Sequence, residues 1–142
     1  MVGSKDILRA DAASADDELA AYCPDLDRWP NSWMIEERDL SPGRQMVECF
    51  KPFLRHLLSL KLSRKTLHKH RDNLWLLGGK LIAELHEVPG LRKRPIAELV
   101  LAALDDEGGP LISHGACENQ QRPFDATCRK LYHFLKASNA AL

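Results

Sequence analysis

The stretch SRKTLHKHRDNLWLLGGKLIAEL, residues 63–85, decides the fold. Ser63 is a strong helix N-cap, and Leu67, Leu74, Leu77, Leu81, Ile82 and Leu85 follow at helical spacing on one face. Arg64, Lys65, Lys69 and Arg71 fall on the remainder of the helix. The pattern predicts one long helix with a core side and a basic side. Gly78 and Gly79 lie inside it, where each costs about 1 kcal/mol relative to alanine, so they signal close packing, a kink or a break. A phosphate-cradling role for the pair lacks a preceding strand and the GxGxxG spacing.

Working outward, the chain punctuates itself into further helices. Ser41 as N-cap and Pro42 at the first helical position open a helix whose apolar stripe is Met46, Val47, Phe50, Phe53, Leu54, Leu57 and Leu58. Pro52 is expected to kink or divide it. Downstream, Pro89, Gly90 and Pro95 end the long helix, and a third runs from Ile96 to about Asp105 with Ile96, Leu99, Val100, Ala103 and Leu104 inward. Gly108, Gly109 and Pro110 stop it. A last helix from about Pro123 to Ala137 buries Phe124, Cys128, Leu131, Phe134 and Leu135. No strand-length alternation competes, so the reading is an all-α four-helix bundle. Ahead of it, residues 1–21 are small and acidic and read as a mobile arm. Tyr22, Trp29, Trp33, Met34 and Ile35, set around Pro24 and Pro30, read as an irregular segment that wraps on the bundle. The division is thus an extension over 1–40 and a helical domain over 41–142.

Composition sets the class. With 142 residues, 44% apolar and 28% charged, the chain has the size and balance of one globular domain. Its N-terminus lacks a secretory h-region and no apolar run spans a bilayer, so the expected compartment is the cytoplasm, without a membrane partner. The net charge of zero conceals segregation. Residues 1–50 hold 5 Lys/Arg against 11 Asp/Glu, residues 51–95 hold 11 against 3, and residues 96–142 hold 4 against 6. A basic middle of this kind suits a polyanionic partner, and equally a solvated helix face.

Catalytic and metal motifs are weak. The four cysteines, Cys23, Cys49, Cys117 and Cys128, contain no CxxC pair, and Cys49 and Cys128 sit in apolar helical patterns that suit core packing. His114, Cys117, Cys128 and His133 come closest to a zinc set, with spacing unlike a zinc motif, so no metal is expected. His68 and His70, two apart on a helix, face different directions. Nothing forms a GxSxG elbow or a Cys/His signature, so no enzyme and no cofactor is expected.

The run Phe50-Lys-Pro-Phe53-Leu54-Arg-His-Leu57, then Leu62-Ser63-Arg64-Lys65-Thr66-Leu67 and Leu74, resembles the start of the core-binding, SAM-like domain of tyrosine recombinases and phage integrases. Pro95-Ile96-Ala97-Glu98-Leu99 is similar to that domain's short third helix, and Thr127 to Leu135 to its fourth, so the likeness covers about residues 46–137. The resemblance implies a four-helix SAM-like unit whose second and fourth helices face duplex DNA. It supplies no cleavage chemistry, because the catalytic domain that follows in the family has no counterpart in these residues. His70, the Gly78-Gly79 pair and the acidic N-terminal extension depart from the family pattern. On this reading double-stranded DNA is the partner. Lys61, Arg64, Lys65 and Lys69 would contact phosphates, Ser63 and Thr66 would donate to them at the helix start, and Arg129, Lys130 and Lys136 would form a second wall. The competing reading is a protein-interaction module of the same fold, docking a partner through exposed Trp29 and Trp33 or through the basic face.

Overall fold

The computed structural model describes residues 17–112 and 118–140, and these form an all-α structure. Its helices are α1 (Trp29–Trp33), α2 (Leu40–Ser59), α3 (Arg64–Glu87), α4 (Ile96–Ala102) and α5 (Glu118–Ala140), and residues 17–22 are helical as well. Short 3-10 turns at Leu26–Arg28, Glu37–Asp39 and Pro89–Lys93 connect them. Among the described residues no strand occurs, and no helix is long and apolar enough to cross a membrane.

The α2 stripe is buried as read: Met46, Val47, Phe50, Phe53, Leu54 and Leu57 all lie in the core. Pro52 does not divide the helix, which runs on through it. It sits on the exposed side, so the hydrogen bond it forfeits faces water while its neighbours Phe50, Phe53 and Leu54 hold the helix down. The helix also starts before Ser41, with Asp39 at the N-cap position, because the preceding 3-10 turn leads the chain in. At the other end, α5 begins at Glu118, ahead of Pro123. Gln121 in its early turns donates to the Pro110 carbonyl (3.0 Å) and Asp125 (2.9 Å), and accepts from the Ile112 amide (2.9 Å), which anchors helix that a proline signal alone would remove. Helix α4 stops at Ala102, short of Asp105, whose carboxylate instead accepts from the Glu107 and Gly108 amides in a tight turn.

Ser63 caps α3 as expected, accepting from the Thr66 amide at 3.2 Å. The helix then passes unbroken through Gly78-Gly79, and close packing is the reason. A Cβ on Gly78 would lie 2.1 Å from Cζ2 of Trp33, so the indole lies directly on the glycine backbone. The segment thus wraps on the bundle as read, and the tryptophans that the protein-interaction reading left exposed are buried. Trp29 and Trp33 are 3% and 6% exposed, in α1 instead of an irregular stretch, so neither stands out as an exposed anchor. Trp33 donates from Nε1 to the Trp75 carbonyl (2.9 Å), stacks edge-on to Phe50 and tilts against Trp29. Leu19, Tyr22, Cys23 and Leu26 join the same core, so the acidic-arm reading does not extend to residues 17–21; residues 1–16 lie outside the described residues. Cys128 is buried as read, and Cys49 is half-buried.

Candidate functional site

Helices α3 and α5 run antiparallel, stapled by polar groups at their contact. Asn73 Nδ2 donates to the Pro123 carbonyl (3.2 Å) and to Thr127 Oγ1 (2.9 Å), and His70 Nδ1 lies 2.7 Å from the same hydroxyl. As the α3 number rises the α5 number falls, which brings the start of α3 beside the later half of α5. Lys130 lies near enough to His70 to act on its charge.

Around this end stand Lys61, Arg64, Lys65, Lys69 and Lys130, all exposed. None has a carboxylate within salt-bridge distance among the described residues, whereas Lys51 pairs with Glu48 and Arg71 with Asp72. At about 100° per residue, Lys65 and Lys69 share one flank of α3. Arg64 falls roughly 100° away, beside Tyr22 and Leu67. Arg71, counted as basic surface in the sequence, is structural, donating from Nη1 to the Tyr22 carbonyl at 3.0 Å. Of the second wall, Lys130 alone adjoins the contact with α3. Arg129 points to the Glu107 carbonyl (3.2 Å) and Lys136 lies over the Tyr132 ring, both around the helix from the α3 contact. Ser63 spends its hydroxyl proton on Thr66 Oγ1 (2.9 Å), which leaves Thr66 as the hydroxyl donor of that pair. Lys61 turns the chain between α2 and α3 at φ 56°, a left-handed conformation in which glycine would be free of strain.

Two features escaped the sequence reading. The first is a ridge formed by Trp75 and Leu76, 40% and 38% exposed, on α3. Ser32 Oγ accepts from Trp75 Nε1 at 2.8 Å and so fixes the indole, beside an open cleft of about 750 Å³ that Pro24, Asp25 and Trp29 line from the other side. The second is a buried charge cluster. Asp39, with no exposed surface, accepts from the Ile35 and Glu36 amides (2.9 Å each), His86 Nε2 (2.8 Å) and Arg92 Nη2 (2.8 Å). Burial alone would raise its pKa; the two amides, His86 and Arg92 outweigh burial and hold the carboxyl well below the usual range.

Metal ligation finds no support among the described residues, where no group of three or more His, Cys, Asp or Glu converges. His114 and Cys117 lie outside those residues. Cys128 is buried, its thiol pushed up to about 12 by burial and the neighbouring Asp125, while His133 is exposed near Asp106.

His70 makes a pH prediction. Burial first and Lys130 second lower its pKa, and Nε2 has no partner among the described residues, so the folded protein holds the ring neutral. The unfolded chain takes up a proton near pH 6.5, and stability therefore falls as the pH drops below that value. Urea unfolding of the wild type at pH 7.5 and 5.5 should show this loss, and His70→Gln should show a smaller one. An equal loss in both proteins would place the acid sensitivity elsewhere.

Fold and surface together define an all-α protein with a basic end and a polar-stapled helix pair. No family model, no curated protein and no solved structure matches the chain.

Proposed function

We propose that the chain is a non-catalytic module that binds double-stranded DNA, using the end of the bundle where α3 begins. The observation that supports this reading is the set of five exposed cations, Lys61, Arg64, Lys65, Lys69 and Lys130, without carboxylate partners among the described residues. Unpaired cations grouped around a helix N-terminus suit phosphate oxygens, with the first-turn amides adding to the field. The finer fold reading, a SAM-like unit related to integrase core-binding domains, belongs to this proposal. The helices likened to that family's DNA-facing pair are α3 and α5. Their facing flanks would supply Lys65, Lys69, Thr66 and Lys130, with Lys61 and Arg64 gripping the backbone to either side.

The test is binding of the purified protein to random duplex DNA across a salt series. Replacing Lys65, Lys69 and Lys130 together with alanine should weaken binding regardless of sequence and lower the magnitude of the salt slope by about 3, roughly one unit per phosphate contact. Thermal stability should hardly change, since all three side chains are exposed. Wild-type protein without DNA affinity at low salt would reject the reading. The Trp75–Leu76 ridge favours the protein-interaction alternative in that event, because an oriented, exposed tryptophan beside an open cleft is what an interface anchor needs.

A further inference from the structure

The far end of the molecule carries a second basic cluster of different construction. Arg64 and Leu85 are separated by 21 residues of continuous helix, about 30 Å at 1.5 Å per residue, so the two ends of α3 belong to different surfaces. At the Leu85 end, a cleft of about 290 Å³ opens between the start of α2 and the start of α4. Arg38 lines it from the turn before α2, and Arg92 and Arg94 from the turn after α3, together with Ser41 and Gln45. Leu85 and Ile96 supply an apolar floor.

Each guanidinium is held by one carboxylate. Arg38 Nε lies 2.6 Å from Glu36, Arg92 Nη2 lies 2.8 Å from Asp39, and Arg94 Nε lies 3.6 Å from Glu98. A guanidinium has five N–H donors, so each arginine is oriented while most of its donors stay free. The Nε of Arg92 is buried with no partner among the described residues. The 20-residue helix α2 starts here with no side-chain cap on its N-terminus, and Ser41 stands in its first turn. The positive end of its dipole therefore adds to the arginines.

We propose that this cleft binds the phosphate head of a small phosphomonoester, with the organic part resting on Leu85 and Ile96. Three guanidiniums from the two turns that flank the cleft, each with N–H donors left over from its carboxylate, suit the three free oxygens of a phosphomonoester. A carboxylate, with two oxygens and one charge, is satisfied by a single arginine fork. The volume lies at the small end of ligand pockets, which restricts the body to a few carbon atoms or one ring. The phosphate could belong to a free metabolite or to the 5′ end of a nucleic acid; the chemistry of the head is the same.

The experiment is titration calorimetry on the full chain with phenyl phosphate, and with benzoate as the carboxylate control, at constant ionic strength. Saturable binding of one phenyl phosphate per chain, together with a rise in the thermal midpoint at saturating ligand, is expected. Arg38 and Arg94 are about half exposed, so the pair of substitutions Arg38→Gln and Arg94→Gln should leave the unliganded midpoint in place and weaken phenyl phosphate by roughly tenfold or more, about 1.4 kcal/mol per factor of ten. Arg94→Gln alone should lose part of that affinity, which guards against a folding defect in the double variant. Absence of saturable binding at millimolar ligand, affinity untouched by the substitutions, or equal affinity for benzoate would each overturn the site. A 5′-phosphorylated oligonucleotide compared with its 5′-hydroxyl form then assigns the source. Preference for the phosphorylated end that needs Arg38 and Arg94 points to nucleic acid, and equal binding of the two forms, with phenyl phosphate still bound, points to a free metabolite. Loss of the Lys65, Lys69 and Lys130 surface should leave phenyl phosphate binding unchanged, so this site and the duplex reading fail separately.

Discussion

Trp33→Ala should destabilise the protein by about 3–5 kcal/mol, the usual cost of emptying a buried tryptophan site, and lower the thermal midpoint by on the order of 10 °C. The indole fills the space over Gly78, touches Phe50 and Trp29, and satisfies the Trp75 carbonyl through Nε1. Gly78→Ala attacks the same contact from the other side. The new methyl would sit 2.1–2.6 Å from three indole atoms, and the ring is held by its hydrogen bond, so a loss near the upper end for overpacking, about 3 kcal/mol, is expected. The two changes are coupled, and the coupling is the decisive reading. In the Trp33→Ala background the clash is gone and the helix gains about 1 kcal/mol from replacing glycine by alanine, so Gly78→Ala should change sign and stabilise. Additive losses, measured by denaturant unfolding of the four proteins in the cycle, would show that the glycine is there for another reason.

Asp39→Ala is the second large effect. Removing one partner of a buried ion pair costs about 3–5 kcal/mol, because the remaining charge and donors stay buried without acceptors. Here the Ile35 and Glu36 amides and the Arg92 guanidinium all lose theirs. Asp39→Asn keeps the size and loses the charge, and it separates packing from electrostatics. Since the folded carboxyl is held below its usual range, its contribution is present in full above the unfolded carboxylate pKa of about 3.9 and is lost as the pH falls through and below that value. Wild-type stability should therefore drop more steeply than that of Asp39→Asn below about pH 4, a window distinct from the one set by His70 near pH 6.5. Parallel acid limbs for the two proteins would sink the assignment.

Helix class and core were legible in the sequence because they rest on periodicity. The stripes of α2, α3 and α5 face the core where spacing put them, with Leu58, Leu67, Phe134 and Leu135 half-buried at its margin. Boundaries were less legible, because proline and serine signals are local while Gln121 and Asp39 act across the chain. That the Trp29–Trp33 segment wraps on the bundle was legible, whereas its helical form and the depth of both indoles were not, because the seat of Trp33 is Gly78, 45 residues later. The glycine pair did carry the signal, since an unforced glycine in a helix interior asks for something large to lie against it. Of the candidate surface, the exposure of Arg64, Lys65, Lys69 and Lys130 followed from amphipathicity, and that of Lys61 from its place in the turn between α2 and α3. Their division into flanks, and the turning away of Arg129 and Lys136, depend on how α5 is rotated against α3, which Asn73 and Thr127 set and no single-helix pattern contains. The arginine cleft brings Arg38 together with Arg92 and Arg94 from a turn more than 50 residues later, and nothing in their spacing announces it.

The way the first third of the chain is held has a bearing on the order in which the molecule assembles. Tyr22 binds the Leu67 carbonyl, Trp33 the Trp75 carbonyl, and Asp39 the side chains of His86 and Arg92. Every one of these attachments reaches across more than 40 residues to α3 or to the turn after it. During synthesis the amino-terminal third emerges first and can settle on α2, where Trp33 meets Phe50, but these long-range attachments close only after α3 has left the ribosome. Contacts of such long span also slow the closing step relative to helical proteins built from neighbouring pairs. Until then the face of Trp33 that comes to rest on Gly78 is open to water, and closing that contact turns an exposed indole, an aggregation hazard, into a covered part of the core.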